Sequence, residues 1–520
     1  MTFRLLIVLL FIVYSSYSQD SIEWGQLVKT KGQVNKIMPL NGADFFSIRY
    51  QGGTVLGGNY LGHHANFSLV KTGKIKSSVS NSTAIIEFVS MVNGSPYVFL
   101  SDRVGDKKIL YAQKYDTACI PVDDPIKLSE FEVVNNGWKS KGDFNLLFSK
   151  SKNFFCVEFD IPGNREDNEH FGYKVFTSDF EVISQGEYSL PYLKSEAIIS
   201  KRYLSNTGDY FLSVKVFDDV EKKGLFKESR SVAKVVLMQV TTDGLEEYTI
   251  DLEGKKINEL TFSSDNNRIL TFSGLYGDKV KGSNGVKGVF YFRLNFDSKE
   301  VLDDGFKDFD KGFITEDWTD REKDRADKDE LKGKGSPELS NYDIRDMVTL
   351  SDGSIIGMLE QFFVNSVTYT DPRGYSRTTY YYNYNDVIVY KINPEGDFEW
   401  LKKIPKTQIT TNDYGYYSSV ATFVNSSNLV FFFNDHIKNY NETGEFISNE
   451  YSTSFTRKTN TVARVKIDLQ TGDVQRTNFV KTFDSESIAI PKLFETDYLK
   501  NEMLMVFRYG KKEKYGLIRF

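Results

Sequence analysis

Cysteine is almost missing from this chain, whose 520 residues include only Cys119 and Cys156. A disulfide-built scaffold is excluded. One bond between the pair is allowed in an oxidising compartment, and the alternative is that both are small buried apolar residues. Proline (11) and histidine (4) are scarce as well. No histidine pair stands at helical metal spacing, and the adjacent His63 and His64 would point to opposite faces of a strand. No Gly-x-Ser-x-Gly elbow and no phosphate-cradling glycine loop occurs, so no cofactor and no metal is expected. A basic excess is lacking too. The 65 Lys and Arg face 71 Asp and Glu, a formal charge of −6 that argues against nucleic acid as a partner. No run of residues is long and apolar enough to suggest a membrane span.

What the chain has is aromatic and turn chemistry: 41 Phe, 31 Tyr and 38 Gly. This apolar surface excludes a disordered chain and favours strands joined by tight turns. At the N-terminus, Arg4 precedes the apolar run Leu5–Val13, and Ser16 and Ser18 suit a cleavage after Ser18. Residues 1–18 therefore read as a signal peptide, and the expected location is exported, periplasmic or extracellular.

Apolar runs of five to eight residues recur between Gly, Asn, Asp and Ser, in sets of four. The clearest set is Lys256–Ser263, Arg268–Tyr276, Gly288–Leu294 and Glu300–Phe309. The first set reads Val34–Pro39, Asp44–Tyr50, Asn66–Lys71 and Lys74–Val79. The last has only three members, Ser487–Leu493, Glu502–Arg508 and Lys514–Phe520, and Ser21–Thr30 can supply its fourth. The expected fold is all-β. It is a β-propeller of eight four-stranded blades, alternatively seven, closed by the N-terminal strand and filling residues 19–520. One short helical insertion is expected in 310–341, where Thr319 and Glu322 fit a capping box and Ile314 and Trp318 can pin it.

In such blades the first-to-second and third-to-fourth turns share one face, and the remaining connections share the other. The first kind is short here (Asp352-Gly353, Asp243-Gly244, Thr471-Gly472). The second kind is long: Gln51–Ala65, Gly277–Lys287, Val364–Asn385, Asn434–Asn460 and Asp310–Asn341. Long connections in compact folds usually carry function, so the binding surface is expected on that face. Second strands end toward it in Arg49, Arg103 and Arg508, and three converging guanidinium groups would suit a carboxylate, sulfate or phosphate. The alternative is that each arginine pairs with a nearby carboxylate and joins blades. Glu360 lies beside Arg345, which suggests a buried pair. The Tyr-rich loop 364–385 offers Tyr369, Tyr375, Tyr380, Tyr381, Tyr382 and Tyr384 with Arg373 and Arg377, a mixture able to stack on sugars or grip a protein. Asp308, Asp310 and Gly312 give only part of a calcium loop.

Asn341-Tyr342-Asp343-Ile344-Arg345, Glu360-Gln361-Phe362, the tyrosine run, Asn385-Asp386-Val387-Ile388-Val389, Trp400 and Lys403-Ile404-Pro405-Lys406-Thr407-Gln408 resemble a pattern in uncharacterised exported, propeller-like proteins of Bacteroidetes bacteria. The resemblance implies a periplasmic or extracellular setting and transfers no active-site residue. The leading expectation is a cell-envelope binding or interaction propeller whose long-loop face takes a protein or saccharide. The alternative is a hydrolase or lyase acting on an anionic saccharide held in the central funnel.

Overall fold

The computed structural model describes residues 22–520 apart from 53–57, 80–81, 134, 137–138, 141, 162, 165, 218–220, 224–226, 230–231, 253, 266–267, 279–284, 317, 333–336, 454 and 482–485. Residues 1–18, expected to be a signal peptide, lie outside the described residues. Eight antiparallel sheets with four main strands each follow one another along the chain. Seven of them use their strands in sequence order, from an inner first strand to an outer fourth, and the eighth takes its outer strand from the N-terminus.

The cores lie between the sheets. Eight buried hydrophobic clusters each draw on two consecutive sheets, and the last joins Val34, Ile37 and Phe45 of blade 1 to Leu504, Val506 and Leu517 of blade 8. Eight sheets with eight interfaces make a closed ring, an eight-bladed β-propeller. Side chains alternate across a strand, so one face of every blade meets its predecessor and the other its successor. Inner three strands are therefore apolar almost continuously, whereas outer strands such as Glu300–Asp308 are largely exposed and charged. Close approach of a cross-strand ring within a blade fixes some glycines. A Cβ on Gly357 would lie 2.1 Å from the Tyr390 ring, whose hydroxyl reaches Ser273 Oγ of blade 5 at 2.6 Å.

The expected closure is present. Ile22, Glu23 and Trp24 pair with Ile518, Leu517 and Gly516, and Val28 and Lys29 pair with Glu513 and Lys512. Trp24 packs edge-on against Phe507 at 5.1 Å, over the side-chain-free Gly516. Blade 8 has an irregular inner strand, Ile488–Ala489 and Glu495–Asp497 around a 3-10 turn at Pro491–Leu493, instead of the continuous Ser487–Leu493. Proline there has no N–H to give a ladder.

Two expectations are corrected, and one open alternative is decided. In blade 1 the third strand is Gly58–Ala65, which had read as loop, and Asn66-Phe67 is the turn into Ser68–Lys74. Asn66 and Phe67 both adopt positive φ, 47° and 62°. The Tyr-rich segment is no loop. It continues two strands of blade 6, Ile355–Thr370 and Ser376–Ile392, into a hairpin arm. Of the two readings of the cysteines, the buried apolar one holds: Cys119 lies between blades 1 and 2 and Cys156 between blades 3 and 4, and both are free.

The helical insertion contains Lys311–Ile314 and Asp320–Leu331, the second opened by the Thr319–Glu322 capping box. Ile314 is buried and Trp318 packs on the core between blades 5 and 6. Asp310 caps the first helix through Phe313 N, 2.8 Å away. Among the described residues no helix is long and apolar enough to cross a membrane, and no three His, Cys, Asp or Glu side chains are grouped as for a metal.

Candidate functional site

The short turns and the long connections do fall on opposite faces. First-to-second turns are as short as 42–43 and 93–94, whereas the long face bears the helices, residues 437–459 and the arm. The arm is three-stranded at its base, where Gln408–Thr411 pairs with Tyr381–Tyr384. Its strands are rich in Val, Thr and Tyr, which suit a pleated surface. Cross-strand hydroxyl pairs stitch it, Thr368 to Thr378 at 2.9 Å and Thr370 to Ser376 at 2.8 Å. Asp371 ties the tip by accepting from Arg373 N and Tyr375 N.

Alternation sorts the arm into two faces. One carries Tyr384, Tyr382 and Tyr380; Tyr382 meets Tyr414 at 5.5 Å, and Tyr384 meets Phe362 at 4.6 Å. The other carries Phe363, Val367, Tyr369, Tyr381, Arg377 and, from the third strand, Ile409. On it Tyr369 is 67% exposed, Val367 57% and Ile409 43%. Tyr375 at the tip is exposed as well.

At the arm's base Glu360 is fully buried and holds three donors: Arg345 Nε at 2.7 Å, Lys406 Nζ at 2.8 Å and Ser419 Oγ at 2.6 Å. Lys406, equally buried, also donates to Tyr384 O at 3.0 Å and Gln408 Oε1 at 3.4 Å. Burial alone would raise the Glu360 carboxyl, but Lys406 and Arg345 overcome it and hold it below the usual glutamate range. Arg345, 32% exposed at its side chain, faces Phe362 and Tyr384 with its guanidinium. Lys492 approaches the same ring from blade 8, 4.1 Å from its centre and 2.7 Å from its hydroxyl. The crowded surroundings lower Lys492 to about 8, Glu360 opposing and Arg345 assisting, while its side chain still meets solvent. It should acylate ahead of exposed lysines such as Lys458 when an amine reagent is applied near pH 8. Peptide mapping showing no preference would contradict this setting. The unfolded chain keeps that proton up to the ordinary lysine range, so this residue makes stability rise with pH from about 8 upward.

The expected convergence of three arginines is not formed. Arg49 and Arg508 meet on one carboxylate, Glu513 of blade 8, and Arg49 also donates to Tyr515 Oη at 3.0 Å. This cluster is buried between blades 8 and 1, with the neutral His64 beside it; burial and Arg49 depress that imidazole to about 3. Arg103 stands apart and exposed, its Nε 3.3 Å from Gly105 O. Arg49 and Arg508 sit on second strands and turn their guanidinium groups into the interface between blades 8 and 1. Arg345 and Glu360 pair as expected, but only Glu360 is buried, its fully buried partner being Lys406, and Tyr375, Arg377 and Tyr381 are exposed on the arm. Sequence reasoning missed Lys406, Ser419, Gln408 and Lys492 as partners of Glu360 and Tyr384. The segment Lys403–Gln408 was noticed, but nothing in it reveals a cross-blade pairing.

Contacts between non-adjacent blades mark the axis, as where Lys150 Nζ of blade 3 donates to Met347 O of blade 6 at 3.1 Å. At its short-turn end lies a cavity of about 910 Å³, lined by Lys36, Phe148, Lys152, Glu495, Tyr498 and Leu504 among others. Burial raises Glu495 and lowers Lys36.

No family model matches the chain, and no curated protein does. Solved structures similar in fold include the WD40 domain of SCAP from fission yeast, at 9% identity over 96% of this chain and 94% of that one, TM-score 0.39. A protein of unknown function from Bacteroides caccae is 10% identical over 70% and 94%, TM-score 0.27. The polysaccharide lyase Uly1 is 9% identical over 95% and 100%, TM-score 0.34. At these scores they bear on neither activity nor ligand, and the resemblance to exported Bacteroidetes proteins has no sequence-level match behind it.

Proposed function

We propose that this chain is an exported binding propeller of the cell envelope and that it takes a partner protein on its arm. The observation that carries this reading is the arm's outward side-chain face. Val367, Tyr369, Tyr381 and Ile409 are exposed there beside Arg377, and the tyrosines and the arginine are residue types enriched at the energetic centres of interfaces. Apolar surface projected on a hydrogen-bonded hairpin, three-stranded at its base, loses less conformational entropy on binding than a loop would. Replacing Tyr381 and Ile409 together by alanine should weaken partner recovery from an envelope extract by about tenfold or more, ~1.4 kcal/mol at least. The melting temperature should stay unchanged, since neither side chain is buried. Undiminished recovery with this pair, and with residues 366–380 replaced by an Asn-Gly turn joining Asn365 to Tyr381, would remove the arm from the function.

A further inference from the structure

The backbone edge of the arm presents a second surface, independent of that side-chain face. The first strand of blade 6, Tyr342–Thr349, pairs with Ile355–Thr370 only as far as Gln361. From Phe363 to Thr370 the outer edge has no pairing partner among the described residues. Phe362 N donates outward to Asn341 O at 2.8 Å. In an antiparallel ladder that direction recurs at every second residue, so Val364, Ser366, Thr368 and Thr370 present unpaired N–H and C=O groups. The edge spans about 27 Å at ~3.4 Å per residue.

Its composition sets it apart. Folded proteins protect sheet edges with charge, proline or a bulge. The outer strand of every blade in this ring carries charge: Lys71 and Lys74, Asp123 and Asp124, Glu187, Glu246 and Glu247, Asp303 and Asp304, Glu399 and Lys402, Arg476 and Lys481, and Glu23. The run from Gln361 to Thr370 has no charge, no proline and three β-branched residues besides three aromatics and a terminal threonine, and the ladder is regular from Phe362 onward.

We propose that this edge pairs with the same edge of a second copy, so that two arms form one continuous antiparallel sheet about a two-fold axis at Ser366. That register sets the outward-pointing Ser366 against its own copy and Val364 against Thr368. On the outward face it sets Phe363 against Tyr369 and Asn365 against Val367, pairings of β-forming side chains. No like charges meet, because Arg377 of the two copies lie at opposite ends of the joined sheet. A two-fold contact uses the edge of both copies and leaves none open, whereas any unsymmetrical pairing would propagate.

Sedimentation velocity over a concentration series of the mature protein tests this. The wild type should show a reversible monomer–dimer equilibrium. Ser366→Pro deletes only an outward-facing N–H, and Thr368→Lys adds the missing edge charge; each should weaken association by about tenfold or more without shifting the melting temperature. Ser366→Cys should cross-link to its own copy on mild oxidation, the native cysteines being buried. Tyr381→Ala with Ile409→Ala should leave the dimer intact, which separates this contact from partner capture. A wild type that stays monomeric, species larger than a dimer, a dimer indifferent to both edge substitutions, or an edge that binds a foreign extended peptide or vesicles in place of its own copy would each overturn the proposal.

Discussion

Replacing Glu360 by alanine should destabilise the protein by about 3–5 kcal/mol, the cost of leaving a buried charge uncompensated. The size follows from who depends on it. Lys406 has no exposed surface, and its ammonium donates to the Glu360 carboxylate at 2.8 Å. Ser419 contributes an ordinary hydrogen bond, so Ser419→Ala should cost only about 1 kcal/mol. Glu360→Met combined with Lys406→Met should recover most of the loss, because two apolar side chains of similar volume avoid both desolvation penalties. The pH dependence has a definite sign. Glu360 is held below its unfolded value, so its contribution is complete at neutral pH and is lost as pH falls through the native value. Urea unfolding followed by tryptophan fluorescence measures all four. An alanine variant within 1 kcal/mol of wild type would mean that the cluster is hydrated rather than sealed.

Removal of residues 19–30 should have the second large effect, loss of the monodisperse folded protein. The deletion strips Ile22–Trp24 from the edge of Lys512–Arg519 and uncovers Phe507, a fully buried ring. It also removes Glu23, which binds Arg519 at 3.0 Å. Trp24→Ala alone should cost about 3 kcal/mol by the usual scale for deleting a packed aromatic. The full deletion exposes a sheet edge as well, so light scattering should report aggregation at concentrations where the wild type is clear. A deleted protein that remains dispersed with an unchanged melting temperature would show that the ring does not need its terminal clasp.

The architecture was legible because inter-blade burial makes the inner strands continuously apolar, so the sets of Lys256–Ser263 and its followers stand out. Where burial is one-sided or absent the pattern fades. Gly58–Ala65 reads as a loop because Gly58, Gly62, His63 and His64 lack strand character. Yet a Cβ at Gly62 would meet Leu69 and Ser47, each at 2.9 Å, and His64 is fully buried against Phe45. Beyond its buried base at Tyr382–Tyr384 the arm is exposed on both faces, so it lacks the alternation that marks a half-buried strand. Arg49 was placed at the right end of the right strand, but which of its two sides met blade 8 depended on the register. Tyr384 and Lys492 meet across blades 6 and 8, a juxtaposition that only the closed ring creates.

The clasp between Glu23 and Arg519 joins positions 496 residues apart in the chain. Forming it costs loop-closure entropy that no local contact repays in advance, and chains dominated by such distant pairings fold slowly. Seven of the eight interfaces can assemble from sequence neighbours while the eighth waits. The slowest kinetic phase should therefore belong to blade 8, and an open arc of blades with its terminal edges bare is the species most exposed to proteases and chaperones.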